Sequence, residues 1–488
     1  MNIDMNNKKS LLLLLVLLAA VAFIFFMPNK KESAETDEAA AAAGETEINI
    51  LSVNDMHASV DMFPKFAALV DSLRGVYPDL LVFSAGDNRT GNPVNDQYDP
   101  VNYPMIELMN RTGFNLSAVG NHEWDGNVVA LQHDIERAKF PFICANVFIP
   151  DSVKLDIKPY EIIENQGLKI AVVGMIELRH DGLPGAHPTN LKKVSFKPAE
   201  EVLPGYQYLK DQNNAIILLS HCGLEDDVEL AQAYPWLDAI IGGHSHTLIE
   251  RPFYHNGVLI TQSGSHLKFA TLVSLKFKDG ELVDKQSTLF DVRNYPHENT
   301  EIKALLDEFN DAPALNEAIA IAKTDFENPE ELGCMLTDAF REMSGADFAF
   351  QNTGGVRIKH LDKGPITVKD VYCIDPFNNE MIVYQMTGAQ VKHFILNSYR
   401  KNGGYPSYVS GMTYTVSDDG NNAWIEMKGS TFSTKKTYKV AINSYMASTV
   451  DVRSEDEGAN TFVTSEEMLI EFLRRHKEVD YQGVSRTK

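Results

Sequence analysis

A layered α/β fold is what the sequence predicts from Glu47 onward, on three observations. Short aliphatic runs closed by a Gly or a polar residue recur along the chain: "INILSVND", "LLVFSAGD", "NLSAVGN", "KIAVVGMIE", "AIILLSH" and "DAIIGGHSH". Runs of this length with no internal alternation are central strands covered on both faces. Between them lie amphipathic stretches such as "FPKFAALVDSLRG", which puts Phe66, Leu69, Val70 and Leu73 on one helical face and ends at Gly75, as a crossover helix does. Finally, 488 residues exceed one ordinary core and imply two domains.

Composition narrows the function classes. A hydrophobic content of 44% with 23% charged residues describes a folded globular chain. The formal net charge of -23 excludes a nucleic-acid polymer as partner, because a phosphate groove needs a basic stripe. An anionic substrate therefore requires local positive charge. Cys144, Cys222, Cys334 and Cys373 show no CxxC spacing, so neither a zinc ribbon nor a redox pair is expected, and buried thiols are favoured over one long-range disulfide.

At the N-terminus, Lys8 and Lys9 precede an apolar run from Leu11 to Met27, about 17 residues or roughly 26 Å as a helix. Residues 1–28 are read as a signal anchor or signal peptide, with the uncleaved anchor favoured because the run outlasts an ordinary signal core. The Ala- and Glu-rich residues 29–45 read as a flexible tether, and the body is expected outside the cytoplasm, in the cell envelope or periplasm.

The polar residues that close the strands carry the chemistry. Successive runs end in Asp55 and His57, Asp87 and Asn88, Asn121 and His122, His221, and His244 and His246. One such ending is an ordinary turn former or helix cap. Five in succession are not, and in an open α/β sheet the carboxyl ends of strands meet at the ligand. Carboxylate, imidazole and amide donors without a thiolate suit hard or borderline divalent metals. Two metals sharing an Asp would supply the missing positive charge and serve in-line displacement at phosphorus.

In order and spacing, Asp55-x-His57, Gly86-Asp87, Gly120-Asn121-His122-Glu123, His221 and Gly243-His244-x-His246 resemble the calcineurin-like metallophosphoesterases, and within them the bacterial 5'-nucleotidase family. The resemblance implies a metallophosphoesterase four-layer α/β/β/α sandwich over residues 46–298, a connecting helix at 299–315, and a smaller α+β C-terminal substrate-binding domain at 316–488. It also implies two divalent ions (Mn, Zn, Co or Fe), one held by Asp55, His57, Asp87 and His246, the other by Asp87, Asn121, His221 and His244, with Asp87 bridging. In "GNHEWDG", His122 and Asp125 resemble the catalytic dyad, an imidazole near the phosphate and the carboxylate that orients it. Glu123 reads instead as a first-turn carboxylate favoured by the helix dipole, and Trp124 as packing.

Other polar residues have plainer readings. Asn88 and Arg89 either face substrate or form the turn after Asp87. His133, His180, His187, His255, His297, His360, His393 and His476 are read as surface or internally satisfied, as is His266 unless it backs the metal ligands. Further on, "SLKFKDGELVDKQSTLFDV" alternates like a hairpin about Asp279-Gly280, and "NTEIKALLDEFNDAPALNEAIA" reads as helical.

The second half resembles the 5'-nucleotidase C-terminal domain, most clearly from Phe348 to Ile395. The resemblance assigns Arg357 to substrate phosphate or carboxylate, Phe377 and Tyr445 to stacking on a base, and Asn379 to substrate; Asn352, Gly354 and Gly355 are read as turn residues with some substrate contact. Ser448, Thr449 and Val450 replace the family's glycines, which leaves Asp451 as an open ribose or base ligand. Asn328, Glu331 and Cys334 stand near places where relatives carry cations, and that loss is expected to weaken phosphate binding. The expected activity is hydrolysis of 5'-nucleotides to nucleoside and phosphate by a metal-activated hydroxide. 2',3'-cyclic nucleotides, nucleotide-sugar pyrophosphates, and a C-terminal half acting only as an envelope binding module are the alternatives.

Overall fold

The computed structural model describes residues 44–454 and 456–487. The apolar run at 11–27 lies outside them; among the described residues no helix is long and apolar enough to cross a membrane.

Two sheets face one another in the first half. The seven-stranded sheet runs, edge to edge, Glu281–Asp291, Phe269–Lys278, Glu45–Val53, Leu81–Ser84, Leu116–Ala118, Phe142–Ile143 and Ile157–Lys158. The six-stranded sheet runs Phe253–His255, Val258–Thr261, Ala239–Ile241, Ala215–His221, Leu168–Ile176 and Tyr160–Asn165. The central pairs of both are parallel and the hairpins at their edges antiparallel.

Period-two alternation explains the layers. Ile48, Ile50, Ile217 and Leu219 point into the core between the sheets, whereas Leu51 and Val53 face the helices over the first sheet and Ile216 and Leu218 those over the second. Each strand is buried on both faces, as the unbroken aliphatic runs require. The helix Phe63–Arg74 buries Phe66, Leu69, Val70 and Leu73 as expected. The four-layer α/β/β/α sandwich is present. Asp279 and Gly280, at φ 52° and 85°, make the two-residue left-handed turn of the predicted hairpin.

The segment after the hairpin departs from the reading. Helix Thr300–Asn310 stops well short of residue 320, and Ala318–Ala322 is a strand. The helix places Ile302, Leu306 and Phe309 in the first core, while the strand places Ile319, Ala320 and Ala322 in the next. Alternating Ala and Ile offer no helical stripe but do fit a half-buried strand. Beyond it, a five-stranded sheet runs Tyr408–Ser410, Phe348–Gln351, Thr437–Asn443, Glu380–Thr387 and Ala459–Thr464. Helices Pro329–Ser344 and Ser465–His476 cover one face, and Gly388–Lys401 the other. The cysteines are free, with Cys144, Cys222 and Cys334 buried.

Candidate metal centre and substrate cavity

All of the strand-closing residues fall at the carboxyl ends of parallel strands. Asp55 follows Glu45–Val53, Asp87 follows Leu81–Ser84, Asn121 follows Leu116–Ala118, His221 ends its own strand, and His244 and His246 follow Ala239–Ile241. The turns there are unusual. Asp55, His57, Asp87, His244 and His246 all take positive φ, between 46° and 74°. Left-handed backbone at non-glycine residues costs free energy, and its concentration here marks a site where side-chain direction outweighs that cost. Backbone bonds hold the turns in place, from Asp55 N to Gly86 O and from His57 N to Asp87 O, both 3.0 Å.

The side chains form an acceptor-rich pocket. Asp87 Oδ2 lies 3.1 Å from His221 Nε2, and Asn121 Oδ1 lies 3.0 Å from His244 Nδ1 and 3.3 Å from His221 Nε2. His57 Nε2 and His246 Nε2 face each other at 2.9 Å. Asp55 Oδ1 is buried without a hydrogen bond, 3.3 Å from His246 Nε2 and 4.0 Å from both His57 Nε2 and His221 Nε2. An orphaned carboxylate oxygen ringed by imidazole nitrogens fits a divalent cation, which would use those lone pairs. His221 Nδ1 sits 2.7 Å from the Ala85 carbonyl, which keeps the proton on Nδ1 and turns the Nε2 lone pair toward Asp87. Burial, then the Arg357 charge, holds His57 well below its ordinary value, and burial, then His221, brings His244 to about 4. Both are therefore neutral, as metal ligands must be.

Behind these ligands stand residues that hold their turns in place. Glu123 is buried and accepts from Gly120 N (2.7 Å), Asp87 N (2.9 Å) and Asn88 N (2.8 Å). Glu123 does stand in the first turn of the short helix His122–Trp124, but its role is that of a clamp that ties the two ligand turns together rather than a carboxylate favoured by the dipole alone. Gly120 is required because a Cβ there would stand 2.3 Å from Asp87 Oδ1 and 2.8 Å from His221 Nε2. Asn54 and Gln262 brace the loops that carry Asp55 and His244. Asn88 is buried against Ser84, Ser117 and Glu123, and Arg89 pairs with buried Asp134 at 3.1 Å, which leaves the turn role for both. His266 does back the cluster: its N–H donates to Asp55 O and its ring centroid lies 5.2 Å from that of His57.

His122 Nδ1 meets Asp125 Oδ2 at 2.6 Å, and its Nε2 lies 3.9 Å from Asp87 Oδ2. Burial opposes its charge, but the Asp125 and Asp87 carboxylates outweigh that and raise its pKa. Trp124 is fully buried, edge-on to Phe196 at 5.5 Å, which is the packing role expected.

The second half closes over this cluster. A cavity of about 920 Å³ has Asp87, Asn121, His122, Asp125, His244 and His246 on one wall and Asn352, Gly355, Arg357, Phe377, Asn379 and Tyr445 on the other. Arg357 reaches across to within 3.4 Å of both ring nitrogens of His57, and its guanidinium carbon lies 5.7 Å from the centre of the Phe377 ring. Phe377 stacks on His122, with centroids 6.0 Å apart and planes inclined by 25°. Tyr445 OH accepts from Arg179 NH1 at 2.8 Å.

Residues 48–248 match the calcineurin-like phosphoesterase family and residues 314–453 the 5'-nucleotidase C-terminal domain. The chain belongs to the 5'-nucleotidase family. It is a metal-dependent phosphoester hydrolase with a dinuclear centre. The chain is 26% identical to protein UshA of Yersinia enterocolitica, over 89% of its own length and 92% of that protein's. It is also 26% identical to a 5'-nucleotidase of Vibrio vulnificus, over 89% of this chain and 91% of that one. A 5'-nucleotidase precursor from Thermus thermophilus shares the fold, with a TM-score of 0.80, 23% identity, and coverage of 91% of this chain and 99% of that one.

Within this family frame the cavity corrects three further readings. His187, read as a surface or internally satisfied residue, is satisfied by Thr189 yet lines the cavity, together with Gly185 on the loop after strand Leu168–Ile176 and Asn190 in the short 3-10 helix Pro188–Leu191. Asp451 is not among the lining residues; it is exposed and pairs with Arg453 at 2.9 Å, because Ser444–Thr449 forms a helix where the resemblance places a glycine turn. Asn328, Glu331 and Cys334 do not line the cavity either. Asn328 caps helix Pro329–Ser344, Glu331 accepts from Glu327 N and Gly483 N, and Cys334 is core. Their side chains therefore report helix capping and packing rather than lost phosphate ligands.

Proposed function

We propose that the chain hydrolyses 5'-nucleotides to nucleoside and phosphate. The observation that supports this reading is a single cavity with the acidic and imidazole cluster on one wall and a guanidinium beside an aromatic ring on the other. Asp55, His57, Asp87 and His246 would hold one divalent ion, and Asp87, Asn121, His221 and His244 the second. When bound, such ions supply positive charge to phosphoryl oxygens and make water a better nucleophile at neutral pH.

The chain's own groups do the rest. Arg357 offers its fork to the phosphate from the side opposite the strands. His122 Nε2 would hydrogen-bond the oxygen leaving phosphorus, a role supported by the Nδ1 contact with Asp125, which orients the ring. Phe377 and Tyr445 supply faces for a base, Asn379, Asn352 and Gly355 polar edges for the sugar. The lysine-flanked apolar run at 11–27 supports export of this body and its retention at the membrane. The test is phosphate release by the purified chain with added Mn or Zn, across 5'-nucleotides, 2',3'-cyclic nucleotides, nucleotide sugars and an aryl phosphate. Turnover of the aryl phosphate with none from any nucleotide would defeat the nucleotidase reading.

A further inference from the structure

We propose that the buried carboxyl pair Asp375 and Glu466 are positioning residues that hold the three substrate-facing segments of the C-terminal half in register and thereby set nucleotide affinity. The inference rests on the nucleotidase reading and deepens it. Both side chains are fully buried, and neither lines the cavity.

Directly or through one or two further residues, their hydrogen bonds reach the segments that carry Asn352 and Arg357, Phe377 and Asn379, and Tyr445. Asp375 accepts from Phe377 N at 3.4 Å and Glu466 from Asn378 N at 2.6 Å, so two consecutive amides of the aromatic loop each end on a carboxylate oxygen. Asn378 sits at φ 51°, a left-handed conformation that such paired amide contacts can hold. The other oxygen of Asp375 accepts from Gln351 Nε2 at 3.2 Å, which also donates to Gly355 O at 3.2 Å. Gln351 Oε1 in turn accepts from Asn443 Nδ2, which reaches Asn352 Oδ1 at 3.0 Å, while Asn443 Oδ1 caps the helix that carries Tyr445. Ser465, beside Glu466, donates its N–H to Asn379 O at 2.8 Å, and Ser444 Oγ donates to Asn379 Oδ1 at 3.1 Å. Arg357 joins through its backbone, donating to Ile374 O at 2.8 Å.

The pair is costly to keep, which argues against a purely cohesive role. Burial pushes the Asp375 carboxyl up, and burial followed by the Asp375 charge pushes Glu466 up. Tyr372, from helix Val368–Ile374, is the titratable group that feels the Glu466 charge, and neither acid forms an ion pair among the described residues. Their acceptor roles are set by geometry: the amides of Phe377 and Asn378 and the side-chain amide of Gln351 all point donors at the two carboxyls. An amide at Asp375 would face donors with both of its ends and must sacrifice the bond to Phe377 or the one to Gln351. At Glu466 an amide keeps the acceptor for Asn378 N, whereas Ala removes it.

The experiment measures KM and kcat for adenosine 5'-monophosphate with added Mn, using the full chain. Asp375→Asn and Glu466→Ala are each expected to raise KM about tenfold and to change kcat less than about threefold, while Glu466→Gln returns KM to within about twofold of wild type. If Asp375→Asn does not fold, the two Glu466 variants carry the test alone. Wild-type turnover of the nucleotide with KM unmoved in these variants, or a Glu466→Gln defect equal to that of Glu466→Ala, overturns the proposal by itself. Absence of nucleotide turnover by the wild-type chain overturns the nucleotidase reading, and this proposal with it.

Discussion

The two walls of the cavity are built on different principles. On the strand-end wall, Asp55, Asp87, Asn121, His221 and His244 each stand within three residues of the end of a buried strand, and short local turns aim them. On the opposite wall, Arg357, Phe377, Asn379 and Tyr445 stand on loops and a one-and-a-half-turn helix, whose placement depends on side chains as far apart as Gln351 and Glu466. A catalytic wall anchored on strands tolerates little change, because a shift of one residue reverses the side chain's direction. A wall hung on a hydrogen-bond network can alter its specificity without disturbing the chemistry opposite.

If that division holds, damage to the strand-end wall should abolish all hydrolysis. Asp87→Asn is expected to lose at least about 10²–10³-fold in kcat on nucleotide and aryl phosphate alike, with metal content falling and circular dichroism unchanged. Retained activity would break the comparison outright. His122→Ala should lower kcat by about 10²-fold or more, and by less for an aryl phosphate whose leaving oxygen needs no proton, as steady-state rates on the two substrates would reveal. On the opposite wall, Phe377→Ala should raise KM for a nucleotide about tenfold, equivalent to about 1.4 kcal/mol and in the lower part of the range for base stacking, and affect an aryl phosphate much less. Equal losses on both substrates would mean that the ring acts chiefly by packing against His122.

The smallest effect tests stability beneath the strand-end wall. Asp227 is buried, accepts from Ser220 Oγ through one oxygen and leaves the other without a hydrogen bond, and burial raises its carboxyl to about 7. A carboxyl with a raised folded-state value stabilises the fold below its unfolded value of about 4, and that contribution is lost as pH rises toward about 7. Asp227→Asn, which cannot ionise, should therefore gain in Tm relative to wild type as pH increases across that window, by a few degrees in calorimetry.

Much of this was legible in the chain. Unbroken aliphatic runs announced doubly covered strands, and the polar residues that closed them announced one face of a cavity, since the carboxyl ends of parallel strands must meet. Glu123 was misread because a carboxylate in a first turn looks the same in sequence whether it meets solvent or three buried amides. Ala318–Ala322 was misread because the helical reading ran on through Asn310, Asp311 and Pro313, where the helix in fact stops. His187 and Asn190 carried no pattern, since they cap and form a short 3-10 helix, Pro188–Leu191, placed by contacts far away in sequence such as that of Asn190 with Asp125 O.

Local periodicity and strand-end chemistry, written in consecutive residues, by themselves determined the layered fold, the donor set and the reaction class. Tertiary structure alone decided that Arg357 reaches His57, that Phe377 covers His122, and that Asp375 and Glu466 lie beneath the substrate loops. Apart from the local bond of Asp375 to Phe377, those contacts join residues from 88 to 300 positions apart, and no short-range pattern encodes a pairing that exists only once both cores have packed.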